Sequence, residues 1–245
     1  ADGIMIARGD LGVEVGDAEL PGIQKNIIRQ AKLFAKPVIT ATQMLESMIN
    51  STIPTRAEVS DVANAVLDAS DAVMLSAETA SGNYPIKAIA AMDRICLSAE
   101  KYLSTKAIVQ QPPDNYHRVD HAIAEATMFT ANHLNIKAII ALTESGTTPL
   151  LMSRVYSSIP IYGLSRHQET LRRMTLYRGV YPIQFDATNF DRRELNYAAV
   201  DAVKKAQLLQ PGDLVIITKG DSIGVHGCTN SMKIVTVGEI CTFLP

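Results

Sequence analysis

Short apolar runs alternate with stretches in which apolar residues recur every three or four positions, the pattern of strands alternating with helices. Residues 3 to 7 and 37 to 42 are two such runs, and Pro21 to Lys36 between them places Ile23, Ile27, Ile28, Ala31 and Phe34 at helical spacing. This predicts a strand, helix, strand unit. Thr55-Arg56-Ala57-Glu58 has the form of a capping box, so a helix is expected from there to about Asp68, burying Val59, Val62, Ala63, Val66 and Leu67. Residues 72 to 76 read as a third strand. Tyr84-Pro85 opens a helix to about Leu103, with Ile86, Ile89, Ala90, Met92, Cys96 and Ala99 as its apolar repeat. Three β/α units in succession imply parallel strands.

The alternation lapses over residues 104 to 118, where Pro112-Pro113-Asp114-Asn115 marks the best linker in the chain. Domains are therefore expected at 1 to 103 and 119 to 245. In the second, helices are predicted near 120 to 134, 149 to 156, 168 to 176 and 193 to 208. Strands are predicted at 137 to 142, 160 to 164, 180 to 185, 214 to 218 and 233 to 237. The last two have only a glycine-broken connection between them (Gly220, Gly224, Gly227), so the final strand should return antiparallel.

Composition changes the picture mainly by exclusion. Lysine plus arginine number 23 against 25 aspartate plus glutamate, a net charge of −2, so no basic footprint argues for nucleic acid. No apolar stretch reaches the roughly 20 residues that span a bilayer, so no membrane partner is expected. Cys96, Cys228 and Cys241 are too few for a disulfide framework, which favours a reducing compartment, by default the cytoplasm. His117 and His121 stand four apart without a third partner, a spacing that suits a surface better than zinc. The chain opens on Ala1-Asp2-Gly3 and an apolar run, as a chain that starts inside a fold would.

Candidate chemistry lies just after the strands, at the edge where parallel α/β proteins keep their sites. Ala7-Arg8-Gly9-Asp10-Leu11-Gly12 offers two glycines that let backbone amides approach an anion and, in Asp10, a hard oxygen donor of the kind Mg²⁺ prefers. The same residues also fit a turn shaped by Gly9 and Gly12 with Asp10 capping a short helix. Thr42 follows the second strand, where its hydroxyl can relay a proton or cap a turn. Ser76-Ala77-Glu78-Thr79 follows the third, and the three together suggest a common rim. In the second domain, Thr143-Glu144-Ser145-Gly146-Thr147-Thr148 sets four hydroxyl residues in six positions between a strand and a helix, which favours a phosphate site over a simple cap.

Four of these segments, DGIMIARGDLGVE from Asp2, ITATQMLESMI from Ile39, PTRAEVSDVANA from Pro54 and DAVMLSAET from Asp71, resemble the pyruvate kinase family. The resemblance implies a partial (β/α)8 barrel, its last three β/α units, followed by an open α/β regulatory domain. It implies phosphoryl transfer from phosphoenolpyruvate to ADP in glycolysis, with Mg²⁺ or Mn²⁺ and K⁺. Asp10 would hold the divalent metal, the Gly9 and Asp10 amides the substrate carboxylate, and Thr42 a place on the proton path to pyruvate. Arg8 would take an ion-pair or structural role, or touch substrate. Arg56 would form an intersubunit salt bridge in a homotetramer or stay solvated. Thr143, Ser145, Gly146, Thr147 and Thr148 would hold an effector phosphate, and Lys219 to Asn230, including His226, would close over it. With no tryptophan in the chain and no arginine in that loop, the effector is as well a sugar or nucleotide monophosphate as a bisphosphate.

The family's catalytic lysine and second metal carboxylate would lie upstream of Ala1, so the 245 residues alone are expected to be inactive. Two other functions fit. One is a catalytically silent module that binds phosphate esters and oligomerises. The other is a different metal-dependent barrel acting on an enolpyruvyl or oxaloacetate-like substrate.

Overall fold

A computed structural model describes residues 1–102, 118–206, 209–221 and 227–238. The expected linker, apart from Arg118, lies outside the described residues, as do His117, His226, Cys241 and the centre of the expected effector loop. The chain divides into two compact units, Ala1–Ser104 and Thr105–Pro245.

In the first unit, β1 (Ile4–Ala7) leads into α1 (Arg8–Val15) and α2 (Leu20–Leu33), then β2 (Val38–Ala41), α3 (Arg56–Leu67), β3 (Ala72–Met74), α4 (Ala77–Ala80) and α5 (Pro85–Glu100). The strands form a parallel sheet in the order β1-β2-β3. The capping box is present in full: the Thr55 hydroxyl accepts from the Glu58 amide, and the Glu58 carboxylate accepts from the Thr55 amide. α2 and α3 end in the same way. Ala35 and Ala69 take positive φ of 49° and 71°, and their amides and those of Lys36 and Ser70 return to the last helical carbonyls.

α5 is where the expected core face fails. The buried stripe is Ala88, Ala91, Met92, Ile95 and Ala99, while Ile86 and Ile89 are 82% and 55% exposed. α3 packs against α5 through Val62 and Ala65, and an alanine seam lets two helices approach more closely than isoleucines would. Leu67 and Phe34, also expected inside, are exposed, and Ala65 and Gln24 are buried in their helices instead.

The second unit runs α6 (Val119–His133), β4 (Ile136–Leu142), α7 (Thr147–Ser153), β5 (Ile161–Ser165), α8 (Gln168–Met174), β6 (Val180–Gln184), α9 (Leu195–Lys205), β7 (Leu214–Gly220) and β8 (Thr229–Thr236). The sheet order is β6-β5-β4-β7-β8, parallel except for the antiparallel β7–β8 pair. Both faces are covered. Ile136, Ile139 and Ala141 of β4 pack on α6, α7 and α8, whereas Ala138, Ile140 and Leu142 pack on α9. Burial on both sides is why residues 138–142 of β4 and 214–217 of β7 read as unbroken apolar runs.

Candidate functional site

Parallel register aligns the ends of the first three strands. Ala7 pairs with Ala41, and Ala41 with Met74, so the residues that follow share one edge of the sheet. At that edge Arg8 begins α1 directly. Asp10 therefore lies in the first turn of a helix, where the backbone dipole favours a negative charge, and it does not cap one. Its side chain is exposed, and no hydrogen bond or ion pair engages its carboxylate among the described residues.

Thr42 is half-buried and takes φ of 67°, followed by Gln43 at 53°. For a β-branched residue this left-handed backbone costs about 1–2 kcal/mol. Its carbonyl is held by the Arg8 guanidinium, with Nε at 3.1 Å and Nη2 at 2.6 Å. Hydrogen bonds from a charged donor contribute about 1.5–3 kcal/mol each, enough to outweigh the strain. The Thr42 hydroxyl accepts from the Gly9 amide at 2.9 Å and donates to the Ala41 carbonyl at 2.6 Å.

Arg8 is buried and completes its contacts on Asp61, with Nη1 at 2.5 Å from Oδ2. Its ion-pair role is thus explicit. Asp61 was not distinguishable in the sequence from any other polar position of α3.

The third cluster behaves differently from a rim. Glu78 is 2% exposed and turned inward, accepting from the Leu45 amide at 3.1 Å and the Ser76 amide at 2.8 Å. It ties the segment after β2 to the segment after β3. Glu58 reaches beyond its capping box to the Ser47 amide (2.7 Å) and hydroxyl (2.6 Å). Partial burial pushes the Glu58 carboxyl up, but the hydrogen bonds from Ser47 and Thr55 together hold it below its ordinary value. Arg56 is exposed at the start of α3.

In the second unit the chain winds one way from β4 through β5 to β6 and then crosses to β7 on the other side of β4. Such a reversal opens a crevice at the strand ends. The loop 143–148 lies there, in a cleft with Arg166, Phe185 and Lys219. Gly146 caps α7 with φ of 80°, a conformation natural to glycine. The loop hydroxyls are bonded to one another: Thr143 Oγ1 accepts from the Gly146 amide at 2.9 Å, and Ser145 Oγ lies 2.8 Å from Thr147 Oγ1. Thr148 is buried, its hydroxyl 2.7 Å from that of Thr229.

Glu144 brings a carboxylate to this loop, hydrogen-bonded to His167 Nε2 at 2.5 Å and ion-paired with Arg166, whose Nε lies at 3.3 Å. Burial, with Lys233 and Arg192 nearby, pulls the Lys219 ammonium below its ordinary value against the opposing charge of Asp221. The described part of 219–230 also brings Cys228 to the cleft.

A divalent cation fits Asp10 as a single, uncommitted hard donor. No group of three histidine, cysteine or carboxylate side chains that could enclose a metal exists among the described residues. His121 faces Glu125 at 3.6 Å. No helix among the described residues is long and apolar enough to cross a membrane.

Comparison with known proteins agrees over both units. The family pattern described as "Pyruvate kinase, barrel domain" matches residues 1–89, and "Pyruvate kinase, alpha/beta domain" matches residues 121–235. The chain is 53% identical over 238 residues to a pyruvate kinase of Buchnera aphidicola subsp. Baizongia pistaciae, covering 97% of this chain and 50% of that protein. It is 52% identical over 238 residues to pyruvate kinase II of Salmonella typhimurium, covering 97% of this chain and 49% of that protein. A crystal structure of a pyruvate kinase from Cryptosporidium parvum superposes with a TM-score of 0.85 at 40% identity, over 96% of this chain and 47% of that one. The chain thus spans about half the length of the relatives it matches.

Proposed function

Because this chain belongs to the pyruvate kinase family, we propose that its first unit carries the enolate-facing part of a site that transfers the phosphoryl group of phosphoenolpyruvate to ADP, giving pyruvate and ATP. The observation that carries this reading is the shared edge of β1 and β2, where the Gly9 amide meets the Thr42 hydroxyl and the next residue, Asp10, has an exposed side chain.

The Gly9 amide now donates to Thr42 Oγ1. A substrate carboxylate that accepts this amide displaces the hydroxyl and frees it to turn toward the enolate. A threonine hydroxyl is a poor acid and a poor base unaided, so its role is relay: as its proton passes to the enolate methylene carbon it takes another from water. A divalent cation held by Asp10, Mg²⁺ or Mn²⁺, supplies stabilisation of negative charge on substrate oxygens. K⁺ is a further cofactor that the family resemblance implies.

Residues 119–245 then have a regulatory role, with Thr143, Ser145, Gly146 and Thr147 receiving the phosphate of a sugar or nucleotide effector and Lys219 as a cationic contact. Thr148 supports the loop from behind. Arg56, exposed on α3, is assigned to a subunit contact in a homotetramer, and the enzyme to the cytoplasm.

The test is ATP formation by a fusion in which residues 1–245 replace the matching half of the Salmonella typhimurium pyruvate kinase II. Activity is expected in the fusion and not in the 245 residues alone. Asp10→Ala should lower turnover at least ~100-fold, the equivalent of about 2.7 kcal/mol of lost transition-state stabilisation. Turnover unchanged by that substitution refutes the assignment. A second reading, a silent phosphate-ester-binding module, is favoured by one observation: the hydroxyl loop is complete within this chain, whereas the described residues give the metal a single carboxylate. It predicts sugar phosphate binding by the chain and no turnover by the fusion.

A further inference from the structure

Arg8 opens α1 at the rim, yet its side chain runs inward and is almost wholly buried. Its planar fork reaches two elements at once. One edge donates to β2 and the turn after it: Nε to the Thr42 carbonyl at 3.1 Å and to the Ala41 carbonyl at 3.4 Å, Nη2 to the Thr42 carbonyl at 2.6 Å and to Met44 Sδ at 2.8 Å. The other edge donates through Nη1 to Asp61 on α3. The peptide it grips lies where two successive non-glycine residues, Thr42 and Gln43, take positive φ.

We infer that Arg8 is a positioning residue: it holds the left-handed peptide at Thr42 and thereby aims the Thr42 hydroxyl at the Gly9 amide, without touching substrate itself. The inference rests on the reading of Thr42 as a proton relay only for its consequence in catalysis. The aim of the hydroxyl stands on geometry alone. Left-handed backbone at a β-branched residue persists only where its surroundings over-determine it. Here the Thr42 carbonyl is gripped from one side by two guanidinium donors and the hydroxyl from the other by Gly9 N–H and Ala41 O. Lysine cannot substitute, because one ammonium has no fixed fork with which to meet a backbone carbonyl and a carboxylate on opposite edges. Asp61 orients the fork, which makes α3 part of the support of Thr42.

The first arm of the test uses the 245-residue chain labelled with ¹⁵N and follows hydrogen exchange at the Gly9 amide. Arg8→Met and Arg8→Lys should each speed that exchange tenfold or more while the amides of β1 and β2 keep their protection. Asp61→Asn should give a smaller increase. Unchanged Gly9 exchange in the arginine variants overturns the inference. Should Arg8→Met expose the strand amides as well, Arg8→Lys and Asp61→Asn decide, and a Gly9 amide indifferent to both overturns it.

The second arm uses the fusion enzyme and reads deuterium uptake from heavy water into the pyruvate methyl group, in which a C–H bond at that carbon breaks and its proton leaves to solvent. Arg8→Lys should lower this uptake and kcat tenfold or more with KM for phosphoenolpyruvate changed less than threefold. Added to Thr42→Val it should cause no further loss. A raised KM with kcat intact, or a further loss in the Thr42→Val background, overturns the inference. If instead Thr42→Val alone leaves uptake untouched, the relay reading fails, and Gly9 exchange in the first arm still decides whether Arg8 positions Thr42.

Discussion

Thr148, in the first turn of α7, and Thr229, at the start of β8, meet through their hydroxyls at 2.7 Å although 81 positions separate them in the chain. Both are buried, at 3% and 8% exposure, so neither hydroxyl has ready access to water. Thr148→Val leaves the Thr229 hydroxyl unsatisfied and should cost about 1–3 kcal/mol in chemical denaturation. Replacing both threonines by valine should recover much of that loss, since an apolar pair strands no polar group. A double variant as unstable as the sum of the singles refutes this account.

Gly146 combines left-handed backbone with close neighbours. A Cβ built there would lie 3.2 Å from Met174 Cγ and 3.4 Å from Thr170 Cγ2. Gly146→Ala should therefore destabilise the second unit by about 1–2 kcal/mol. It should also weaken sugar phosphate binding by calorimetry, because the loop hydroxyls pivot on this residue. Full affinity in a folded Gly146→Ala protein would separate the loop from phosphate recognition.

Helix ends allow a change in the opposite direction. Ala35 and Ala69 occupy positive φ at the ends of α2 and α3, where glycine carries no steric penalty. Relief of that strain competes with glycine's greater freedom in the unfolded chain, which costs roughly 0.5–1 kcal/mol. Since the left-handed penalty of about 1–2 kcal/mol is larger, Ala69→Gly should raise the melting temperature of the first unit by a few degrees. A lower melting temperature would show that the strain is already relaxed.

Glu58 gives the first unit an acid sensitivity. Burial raises its carboxyl and the Ser47 and Thr55 hydrogen bonds lower it, with a net depression below the ordinary value of 4.5. A carboxyl depressed in the folded state contributes stability that is present above its unfolded value and is lost as pH falls through the folded one. Glu58→Gln should therefore be less stable than the parent at pH 7, with the gap closing below about pH 4.5. A gap that stays constant down to pH 3 would mean that charge plays no part in the cap.

The strands and their order along the chain are legible because parallel strands buried on both faces write continuous apolar runs, as Ile139 to Leu142 and Leu214 to Ile217 do. The rotation of α5 is not legible. Its isoleucines and its alanines trace two stripes of similar spacing, and the choice between them comes from how closely α3 approaches. Gly9, Asp10 and Thr42 stand out as candidates because each lies within three positions of a strand's end. Asp61 and Glu78 cannot, because a carboxylate's partners 33 to 53 positions away are set by tertiary placement. The inward turn of Glu78 has the same origin: two backbone amides in the turns after β2 and β3 need an acceptor, and only the folded sheet brings them together.

The alanine seam between α3 and α5 leaves no slack between the two helices. Close-packed small side chains cannot absorb a displacement by changing rotamer, as long ones can. The exposed start of α3 at Arg56 and the peptide that carries the Thr42 hydroxyl are thus joined by one run of contacts, about 1.4 turns along α3 to Asp61 and from there through a single guanidinium.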